Sequence, residues 1–464
     1  MTCDKYCAGR FSGTALKKVE KTTDINPREI ALTILHQIET ESTFANETIQ
    51  SFSQNLFLSS LDRRFISELV HGTTKMRRRL DYVLSLFLER KLEELTPWIR
   101  NILRMGIYQI DFMDKVPESA AVDESVKLAK KFGHKGTVAL VNAVLRSYLR
   151  DKSRVSFPSW EEDRVENIAL FYSFPSWMIE RWLGIFGEEG TVKLGEAFNR
   201  RPQLCLRNNS MKIDRGELEK LFERERIRFK PGRFLNNFYY VESKIDLNHF
   251  ASLQEGLVYF QDESAGFPVE LLDPQPGERI LDLCAAPGGK ATFIAERMKD
   301  QGIVVAVDLS IKKLEIIREN CERLGIDSIA WCCSDAKNFF CHPMDRILID
   351  APCSALGTLG RNSDARWRKQ KEDLPRLQKL QLKILSNAAE LLKGGGVLVY
   401  STCTITPEED EQVICKFLEQ RKDFRLINSS LFVDSEVVDQ NGFVRTLPHV
   451  HKMDGSFACR LEKI

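Results

Sequence analysis

Two cysteines, each in a short sequence motif, are the residues of this chain best suited to nucleophilic catalysis. Cys353 follows an acidic position, Asp350, and Cys403 follows the polar pair Ser401 and Thr402. Each cysteine comes shortly after an apolar run of the kind that forms a buried strand. The carboxyl ends of parallel strands lie at the ligand crevice of an α/β sheet, so thiols that follow two such strands can meet at one substrate atom. We therefore predict a nucleophilic thiol beside a second thiol that handles a proton.

A strand followed by a turn of small residues lies upstream of both cysteines. After the strand predicted at 279–283, the turn contains Cys284, Ala285, Ala286, Pro287, Gly288, Gly289 and Lys290. Small residues let the main chain approach a ligand closely, and a helix that begins there presents unpaired N–H groups. The spacing is not Gly-x-Gly-x-x-Gly, which disfavours a dinucleotide. We predict that the turn binds a nucleotide-like cofactor and that the site transfers a methyl group to a pyrimidine.

Acidic residues stand at the ends of the strands that follow the turn. Asp308 can accept both hydroxyls of a ribose, Asp335 can accept from an adenine amine, and Asp350 ends the fourth strand. This series favours S-adenosylmethionine as the cofactor. The alternative is that Asp308 and Asp335 cap the helices that follow them, which a carboxylate also does well.

Two thiols suit the methylation of a cytosine because the C5 atom of cytosine is a poor nucleophile. Addition of a thiolate to C6 converts the ring into an enamine whose C5 can accept a methyl group. The thiol must ionise, and an ordinary cysteine has a pKa of about 8.5. Asp350, either protonated or hydrogen-bonded to N3 and the amino edge of the base, would stabilise charge drawn into the ring. The second thiol would help to remove the C5 proton or release the product.

Length and composition place the chain among globular proteins with several domains. Its 464 residues are more than one ordinary domain contains. At roughly 150 residues per domain, the length predicts about three domains. The hydrophobic fraction is 43% and the charged fraction 29%, and no stretch approaches the roughly 20 apolar residues of a membrane span. We expect a monomer with no membrane association.

The 12 cysteines are scattered without the spacing of a disulfide framework. This pattern indicates a reducing compartment, and we expect the cytoplasm. Cys3 and Cys7 could be combined with His449 and His451 as metal ligands, but these segments are remote and no second Cys-x-x-Cys pair exists. We therefore predict no metal.

A net charge of only +1 means that any nucleic-acid surface must be local. Runs of basic residues in this chain are more often solvated helix faces than phosphate contacts. Among individual arginines, we predict Arg207, Arg361 and Arg366 as contacts to phosphate groups.

The patterns along the chain predict a leader and three domains. Residues 1–24 have no periodicity, whereas apolar residues recur at helical spacing through 25–152, with a helix ending at Gly133 in a left-handed cap. Residues 153–255 have the mixed pattern of a small α+β domain, with a helical run at 217–226. We expect this domain to link its neighbours and to bind RNA. Residues 256–464 alternate helical patterns with short apolar runs at 279–283, 303–307, 329–333, 346–349 and 396–400. This alternation predicts that the runs are strands of a Rossmann-like α/β domain with a mostly parallel sheet.

A specific family resemblance covers the last 210 residues or so. The segments that carry it are Gln261–Ser264, Leu281–Lys290, Asp350–Ser354, Tyr400–Cys403 and Pro407–Glu409. With these segments the chain resembles the RNA cytosine-C5 methyltransferases of the Sun/Nop2 type. The resemblance implies that Cys403 is the covalent nucleophile and Cys353 the thiol for release or proton handling. It also implies cofactor contacts from Cys284 through Lys290 and from Asp308, Asp335 and Asp350.

The helical region carries a second resemblance. Val116–Gly133 and Val141–Leu145 are similar to the NusB antitermination fold, an RNA-binding helical bundle. A NusB-like module ahead of this catalytic domain is the layout of bacterial enzymes that methylate a cytosine of 16S ribosomal RNA. The resemblance thus implies S-adenosylmethionine as cofactor and a single-stranded or loop cytosine of the small-subunit RNA as target. Gly360–Asp364 and Asp454–Phe457 depart from the usual family pattern.

The competing hypothesis is a noncatalytic RNA-binding or antitermination factor that keeps the sheet as a scaffold. The presence of Cys353, Cys403 and the glycine turn counts against it. A DNA cytosine-C5 methyltransferase is also disfavoured, because that class uses the thiol of a Pro-Cys pair as its nucleophile and does not have the Thr-Cys pair found here.

Overall fold

A computed structural model of the chain describes residues 26–55, 58–246 and 250–464. The predicted leader, residues 1–24, lies outside them. The first of two compact units takes in the described part of Met1–Val70 together with Leu95–Asn142, and the second takes in His71–Glu94 together with the described part of Ala143–Ile464. No helix in these described ranges is long and apolar enough to cross a membrane. The domain boundaries inferred from the sequence remain predictions.

The regular structure described between residues 26 and 199 is helical. Its α-helices are α1 (Pro27–Thr40), α2 (Ala45–Asn55), α3 (Ser60–Lys75), α4 (Arg77–Phe87), α5 (Pro97–Phe112), α6 (Glu118–Phe132), α7 (Lys135–Arg150), α8 (Arg164–Tyr172) and α9 (Ser176–Asn199). Local sequence explains two of the starts, because the Asn26 and Thr96 side chains accept from first-turn N–H groups and a proline follows each.

The end of α6 differs from the prediction. Gly133 has φ −137° and ψ −154°, which is extended backbone and not the left-handed cap that we expected. An added Cβ at Gly133 would lie 2.3 Å from the Thr137 hydroxyl, and this hydroxyl accepts a hydrogen bond from the His134 N–H. Glycine is therefore needed at this position for the close approach of the following turn.

A small antiparallel sheet with two helices follows. Its elements are β1 (Leu204–Asn208), α10 (Arg215–Arg224), β2 (Phe229–Pro231), β3 (Phe238–Val241), α11 (Ala251–Gln254) and β4 (Val258–Phe260). The strand order is β2-β3-β1-β4. We expected α10 to begin at Glu217, but it begins two residues earlier because the Asp214 side chain caps it through the Glu217 N–H at 2.9 Å.

The rest of the second unit is an α/β sheet, as predicted. Its elements are α12 (Phe267–Leu272), β5 (Arg279–Leu283), α13 (Gly289–Arg297), β6 (Ile303–Asp308), α14 (Ile311–Leu324), β7 (Ile329–Cys333), β8 (Met344–Asp350), α15 (Ala365–Arg368), α16 (Asp373–Glu390), β9 (Leu392–Thr402), α17 (Glu411–Gln420), β10 (Phe424–Ile427), β11 (Val444–Thr446), α18 (Pro448–His451) and β12 (Ser456–Lys463).

The order of the strands creates a crevice where a ligand can bind. The main path is β10-β12-β9-β8-β5-β6-β7, and β11 pairs with β12. The run from β9 to β7 is parallel, whereas β12 is antiparallel to β9. From β5 the chain first builds β6 and β7 on one side and then returns to build β8 and β9 on the other. Ligands of open α/β sheets bind at such a reversal, outside the carboxyl ends of the strands.

Candidate active site

The turn between β5 and α13 has a backbone that only small residues can form. Gly288 has φ +99°, and a Cβ added there would lie 3.0 Å from the Ile317 side chain. A Cβ on Gly289 would lie 3.2 Å from the Tyr259 ring and 3.3 Å from the Gln261 amide nitrogen. The glycines thus keep the main chain open at the start of α13, where free N–H groups attract a polar ligand.

Asp308, at the end of β6, holds this turn in place. Its carboxylate accepts from the Ala286 N–H at 3.3 Å and from the Ser310 N–H at 3.1 Å. Ser310 precedes α14, so Asp308 forms a local turn and does not cap the helix. Asp335, beyond β7, accepts from the Lys337 N–H at 3.0 Å. That hydrogen bond and the Lys337 ammonium lower the pKa of Asp335.

The acidic residues predicted from the strand ends surround the turn. Burial and the nearby carboxylates of Asp350, Asp308, Asp282 and Asp335 raise the pKa of the Cys284 thiol. Cys284 has φ +64°, an uncommon value for a residue with a side chain. The structure therefore brings the predicted carboxylates together around the predicted turn, although their contacts with a cofactor remain predictions.

Lys290, the last residue of the turn motif, reaches across to the end of β8. Its ammonium donates to Asp350 Oδ2 at 2.6 Å, and the Ser401 hydroxyl donates to Asp350 Oδ1 at 3.1 Å. Burial works against the charged form of Lys290, but Asp350 and Cys403 outweigh it, so the pKa of Lys290 is raised. In the structure the ammonium is hydrogen-bonded to Asp350, and the cofactor contact predicted for Lys290 stays a prediction.

The two predicted catalytic thiols meet. Strands β8 and β9 are parallel neighbours with Asp350 opposite Ser401, and the chain continues from them to Cys353 and Cys403. The two sulfur atoms are 3.3 Å apart. The hydrogen bond with Cys403, together with burial and the charge of Cys403, raises the pKa of the Cys353 thiol well above its ordinary value. Cys353 is thus held as a neutral thiol beside Cys403.

Asp282 was not predicted from the sequence as a site residue. It lies inside β5, is fully buried, and neither carboxylate oxygen has a hydrogen-bond partner among the described residues. Burial and the nearby Asp350 raise the pKa of Asp282 well above its ordinary value. The sequence feature that could have identified Asp282 is an acidic residue within an apolar strand, because burying a carboxylate without a partner costs free energy.

Glu409 belongs to the motif at 407–409, and the sequence did not predict its place beside the thiols. It is fully buried and accepts from both the N–H and the hydroxyl of Ser354, the residue after Cys353. The sequence feature that could have identified Glu409 is its position six residues after Cys403, in a segment rich in threonine.

The three arginines predicted as phosphate contacts are engaged within the protein. Arg207 is fully buried and donates to Glu296 at 2.7 Å and to the Gly289 carbonyl at 2.7 Å. Arg366 is also fully buried and donates to the Asn199 side chain at 3.0 Å. For these two residues the prediction is wrong, because a buried guanidinium cannot reach an RNA backbone.

Arg361 differs in that part of its side chain is exposed. Its guanidinium donates to Asp262 and to Asp454, each at 2.7 Å, and to the Gln203 carbonyl at 3.1 Å. Two acidic side chains already pair with it, and because the Arg361 side chain is 32% exposed, its phosphate contact stays a prediction.

The structure shows no group of three or more His, Cys, Asp or Glu side chains arranged for a metal within residues 26–55, 58–246 and 250–464. Cys3 and Cys7 lie outside these ranges.

Comparison with known proteins assigns each part of the chain to a family. The family model for the 16S rRNA methyltransferase RsmB/F matches residues 269–462. The NusB family model matches residues 25–150, and a model for an RsmF/B-like ferredoxin-like domain matches residues 174–248. The NusB-like and methyltransferase resemblances found in the sequence are therefore confirmed, and the small α+β domain is ferredoxin-like.

Solved structures with the same architecture are also found. The crystal structure of PH0851 has a TM-score of 0.77 and 26% identity, covering 96% of this chain and 100% of that one. A methyltransferase homolog protein from Pyrococcus horikoshii has a TM-score of 0.56 and 28% identity over 65% of this chain and 99% of its own.

Relatives match almost from end to end. The probable ribosomal RNA small subunit methyltransferase B of Bacillus subtilis (strain 168) is 36% identical over 94% of this chain and 98% of its own length. The corresponding protein of Synechocystis is 36% identical over 95% and 100%, and that of Yersinia pseudotuberculosis (serotype O:1b) is 31% identical over 94% and 99%. With the thiols, the glycine turn and the three matched regions on one chain, this protein belongs to the ribosomal RNA small subunit methyltransferase B family.

Proposed function

We propose that this enzyme methylates C5 of one cytosine in 16S ribosomal RNA through a covalent bond between Cys403 and C6 of the base. The observation that carries the proposal is the 3.3 Å separation of the Cys353 and Cys403 sulfur atoms at the ends of adjacent strands. A methyl transfer to a base nitrogen or a ribose oxygen does not require two thiols. Methylation at C5 requires one thiol to add to the ring and benefits from a second to release it.

The surroundings of the thiols fit these separate roles. Asp350 and Cys403 both contribute to the raised pKa of Lys290, so a preorganised ammonium lies near the sulfur that attacks C6. Cys353 is held neutral by its hydrogen bond to Cys403 and by burial. As the bond between Cys403 and C6 breaks, the electron pair of the C5–H bond forms the C5–C6 double bond. The Cys353 thiol can pass its proton to the departing Cys403 sulfur, 3.3 Å away, and take the C5 proton in its place. Cys403 then loses its proton to solvent before the next turnover.

The ion pair of Lys290 and Asp350 would orient the base. An Asp350 oxygen can accept from the exocyclic amine of cytosine, and the nearby ammonium would stabilise the negative charge that spreads into the ring as the thiolate adds. Ser401 fixes the Asp350 carboxylate from the other side. These three residues come from α13, β8 and β9, so the geometry is set by the sheet.

The residues around the turn fit S-adenosylmethionine. The buried carboxylate of Asp282 has no partner among the described residues, and a positively charged ammonium group of the cofactor would satisfy it. Asp308 and Asp335 would bind the ribose and the adenine, and Cys284–Lys290 would line the cofactor with main chain. Bound there, the cofactor supplies an electrophilic methyl group.

The substrate is proposed to be a cytosine in single-stranded or loop RNA. The edge of a base in an A-form helix is poorly accessible, so the base must turn out of the stack to reach two thiols. A ribosomal RNA substrate places the proposed activity in the cytoplasm. We propose that the enzyme acts as a monomer and without a metal. The alternative, a noncatalytic RNA-binding or antitermination factor, would leave the paired thiols without a role.

The test is methylation of 16S ribosomal RNA from a strain that lacks this protein, using labelled S-adenosylmethionine. We expect 5-methylcytidine at one position after digestion to nucleosides, and no transfer by Cys403→Ala. Label recovered in another nucleoside, or transfer that persists in Cys403→Ala, would contradict the proposal.

A further inference from the structure

A fully buried carboxylate connects the two segments that carry the thiols. Glu409 is fully buried, and its oxygens accept four hydrogen bonds. The Ser354 N–H donates to Oε1 at 2.8 Å and the Ser354 hydroxyl to Oε2 at 2.5 Å. The Thr406 hydroxyl donates to Oε2 at 2.8 Å and the Gln381 amide to Oε1 at 3.1 Å. We call Glu409 with Ser354, Thr406 and Gln381 the carboxylate bridge.

The carboxylate bridge holds the neighbours of both cysteines. Ser354 follows Cys353 and is fixed through both its main chain and its side chain. The Ser354 hydroxyl is also 2.8 Å from the hydroxyl of Thr404, the residue after Cys403. The carboxylate bridge therefore holds Ser354 directly, whereas it reaches Thr404 only through hydroxyl contacts with Ser354 and Thr406. All four of these residues are largely or fully buried, so water does not compete for these hydrogen bonds.

We propose that Glu409 is a positioning residue that holds Cys353 against Cys403, so that the release thiol reaches the adduct formed at Cys403. This inference rests on the proposed function. A loose Cys353 would leave addition to C6 intact, because that step needs only Cys403, and it would impair release. A misplacement of about 1 Å at a reacting group can reduce a rate on the order of 100-fold.

The negative charge of Glu409 has a second effect on the same thiol. Together with the larger contributions of the Cys403 hydrogen bond and burial, it raises the pKa of Cys353. Hydrogen bonding and charge can be separated by substitution. In Glu409→Gln, the amide oxygen can face the two N–H donors while the amide NH₂ donates to the two hydroxyls, which can also accept. Glu409→Gln thus keeps the carboxylate bridge without its charge, and Glu409→Ala removes both.

Glu408, the preceding residue, offers a matched control. Its carboxylate pairs with Arg181 at 2.5 Å and is partly exposed. The substitution Glu408→Gln changes the same kind of side chain one position away without touching the carboxylate bridge.

The experiment compares one turnover with many, using the full-length enzyme, 16S ribosomal RNA and S-adenosylmethionine. In Glu409→Ala we expect steady-state turnover to fall on the order of 100-fold, while transfer in the first turnover changes much less. A covalent protein–RNA adduct should accumulate on denaturing gels, as in Cys353→Ala. Glu409→Gln should accumulate less adduct and Glu408→Gln none.

Equal slowing of the first and later turnovers without an adduct would overturn the inference. If Glu409→Ala does not fold, Ser354→Ala decides instead, because it removes the hydroxyl that joins Glu409 to Thr404, and it must also accumulate adduct. Failure of the proposed function is distinguishable, because Cys353→Ala would then form no adduct either.

Discussion

The sulfur atom of Cys353 lies 3.3 Å from the sulfur atom of Cys403, although 50 residues separate them in the chain. Strands β8 and β9 run parallel with Asp350 opposite Ser401, which brings the two following segments to the same end of the sheet. The role that we propose for the carboxylate bridge is to hold the two sulfur atoms at this distance. A pair of thiols this close has chemical consequences that can be measured separately from methyl transfer.

The first prediction concerns oxidation. Diamide, an azo oxidant, should take one hydrogen from each thiol, so that it becomes a hydrazine while Cys353 and Cys403 form a disulfide. We expect loss of methyl transfer, recovery with dithiothreitol, and a cross-linked peptide containing both residues in a nonreducing digest. Cys333 and Cys415 are exposed and serve as internal controls for general thiol oxidation. Reversible inactivation without that cross-linked peptide would contradict the prediction.

The second prediction concerns Lys290. In Lys290→Met the Asp350 carboxylate loses its charged partner and keeps only the hydrogen bond from Ser401, and the positive charge near Cys403 is lost. We expect single-turnover methyl transfer to fall by about 100- to 1000-fold, the usual loss when a preorganised electrostatic partner is removed. Binding of S-adenosylhomocysteine, measured by calorimetry, should change far less. Lys393→Met is the control, because Lys393 pairs with Asp345 at an exposed position. A Lys290→Met enzyme that loses cofactor affinity but not rate would assign Lys290 to the cofactor.

The third prediction concerns Asp282, whose buried carboxylate has no partner in the described structure. An uncompensated buried acid destabilises the fold, so Asp282→Asn should raise the melting temperature of the cofactor-free protein. The same substitution should weaken binding of S-adenosylhomocysteine, because the counter-charge for its ammonium group is lost. The two effects have opposite signs, which separates them from general damage. A lower melting temperature with unchanged affinity would remove Asp282 from the cofactor site.

The fourth prediction is a pH dependence set by Asp454. Burial and the neighbouring Asp262 raise the pKa of Asp454 to about 7, even though Arg361 opposes this. The unfolded value is about 3.9. Between these values the folded protein binds a proton that the unfolded chain does not, so this group makes stability fall as pH rises.

The substitution Asp454→Asn removes that contribution. The free energy of unfolding of the wild type, relative to Asp454→Asn, should decrease between pH 4 and pH 7 by on the order of 1.4 kcal/mol per pH unit. Urea denaturation of both proteins at a series of pH values measures this difference and cancels the other titrating groups. A difference that stays constant over this range would show that Asp454 is ionised throughout.

Much of the sheet could be predicted from the sequence because its signals are local. Strands β5 and β7 have the predicted bounds, since each is an apolar run between turn residues. Strand β9 was predicted from Gly396 but begins at Leu392, because its pairing with β8 starts there, at Met344 opposite Leu392. The glycine-rich stretch at 393–396 does not have a strand pattern, so this early pairing with β8 could not be predicted from the sequence.

The site was predictable where one segment carries the chemistry. The cysteines and the turn are contiguous motifs, and the parallel sheet brings their ends together. The arginines were not predictable in this way. Arg207 is neutralised by Glu296, which is 89 residues away in the chain, and Arg361 by Asp454, which is 93 residues away. A basic residue looks the same in the sequence whether its partner is a phosphate or a distant carboxylate.

The most direct test of the covalent mechanism uses RNA in which the target cytosine carries fluorine at C5. Because the enzyme must remove a proton from C5 to release the product, and fluorine cannot leave in its place, the adduct should be trapped after methyl transfer. The measurement is mass spectrometry of the cross-linked peptide. The account predicts a methylated fluorocytosine bonded to Cys403, whereas a nucleotide bonded to Cys353, or no cross-link at all, would contradict it.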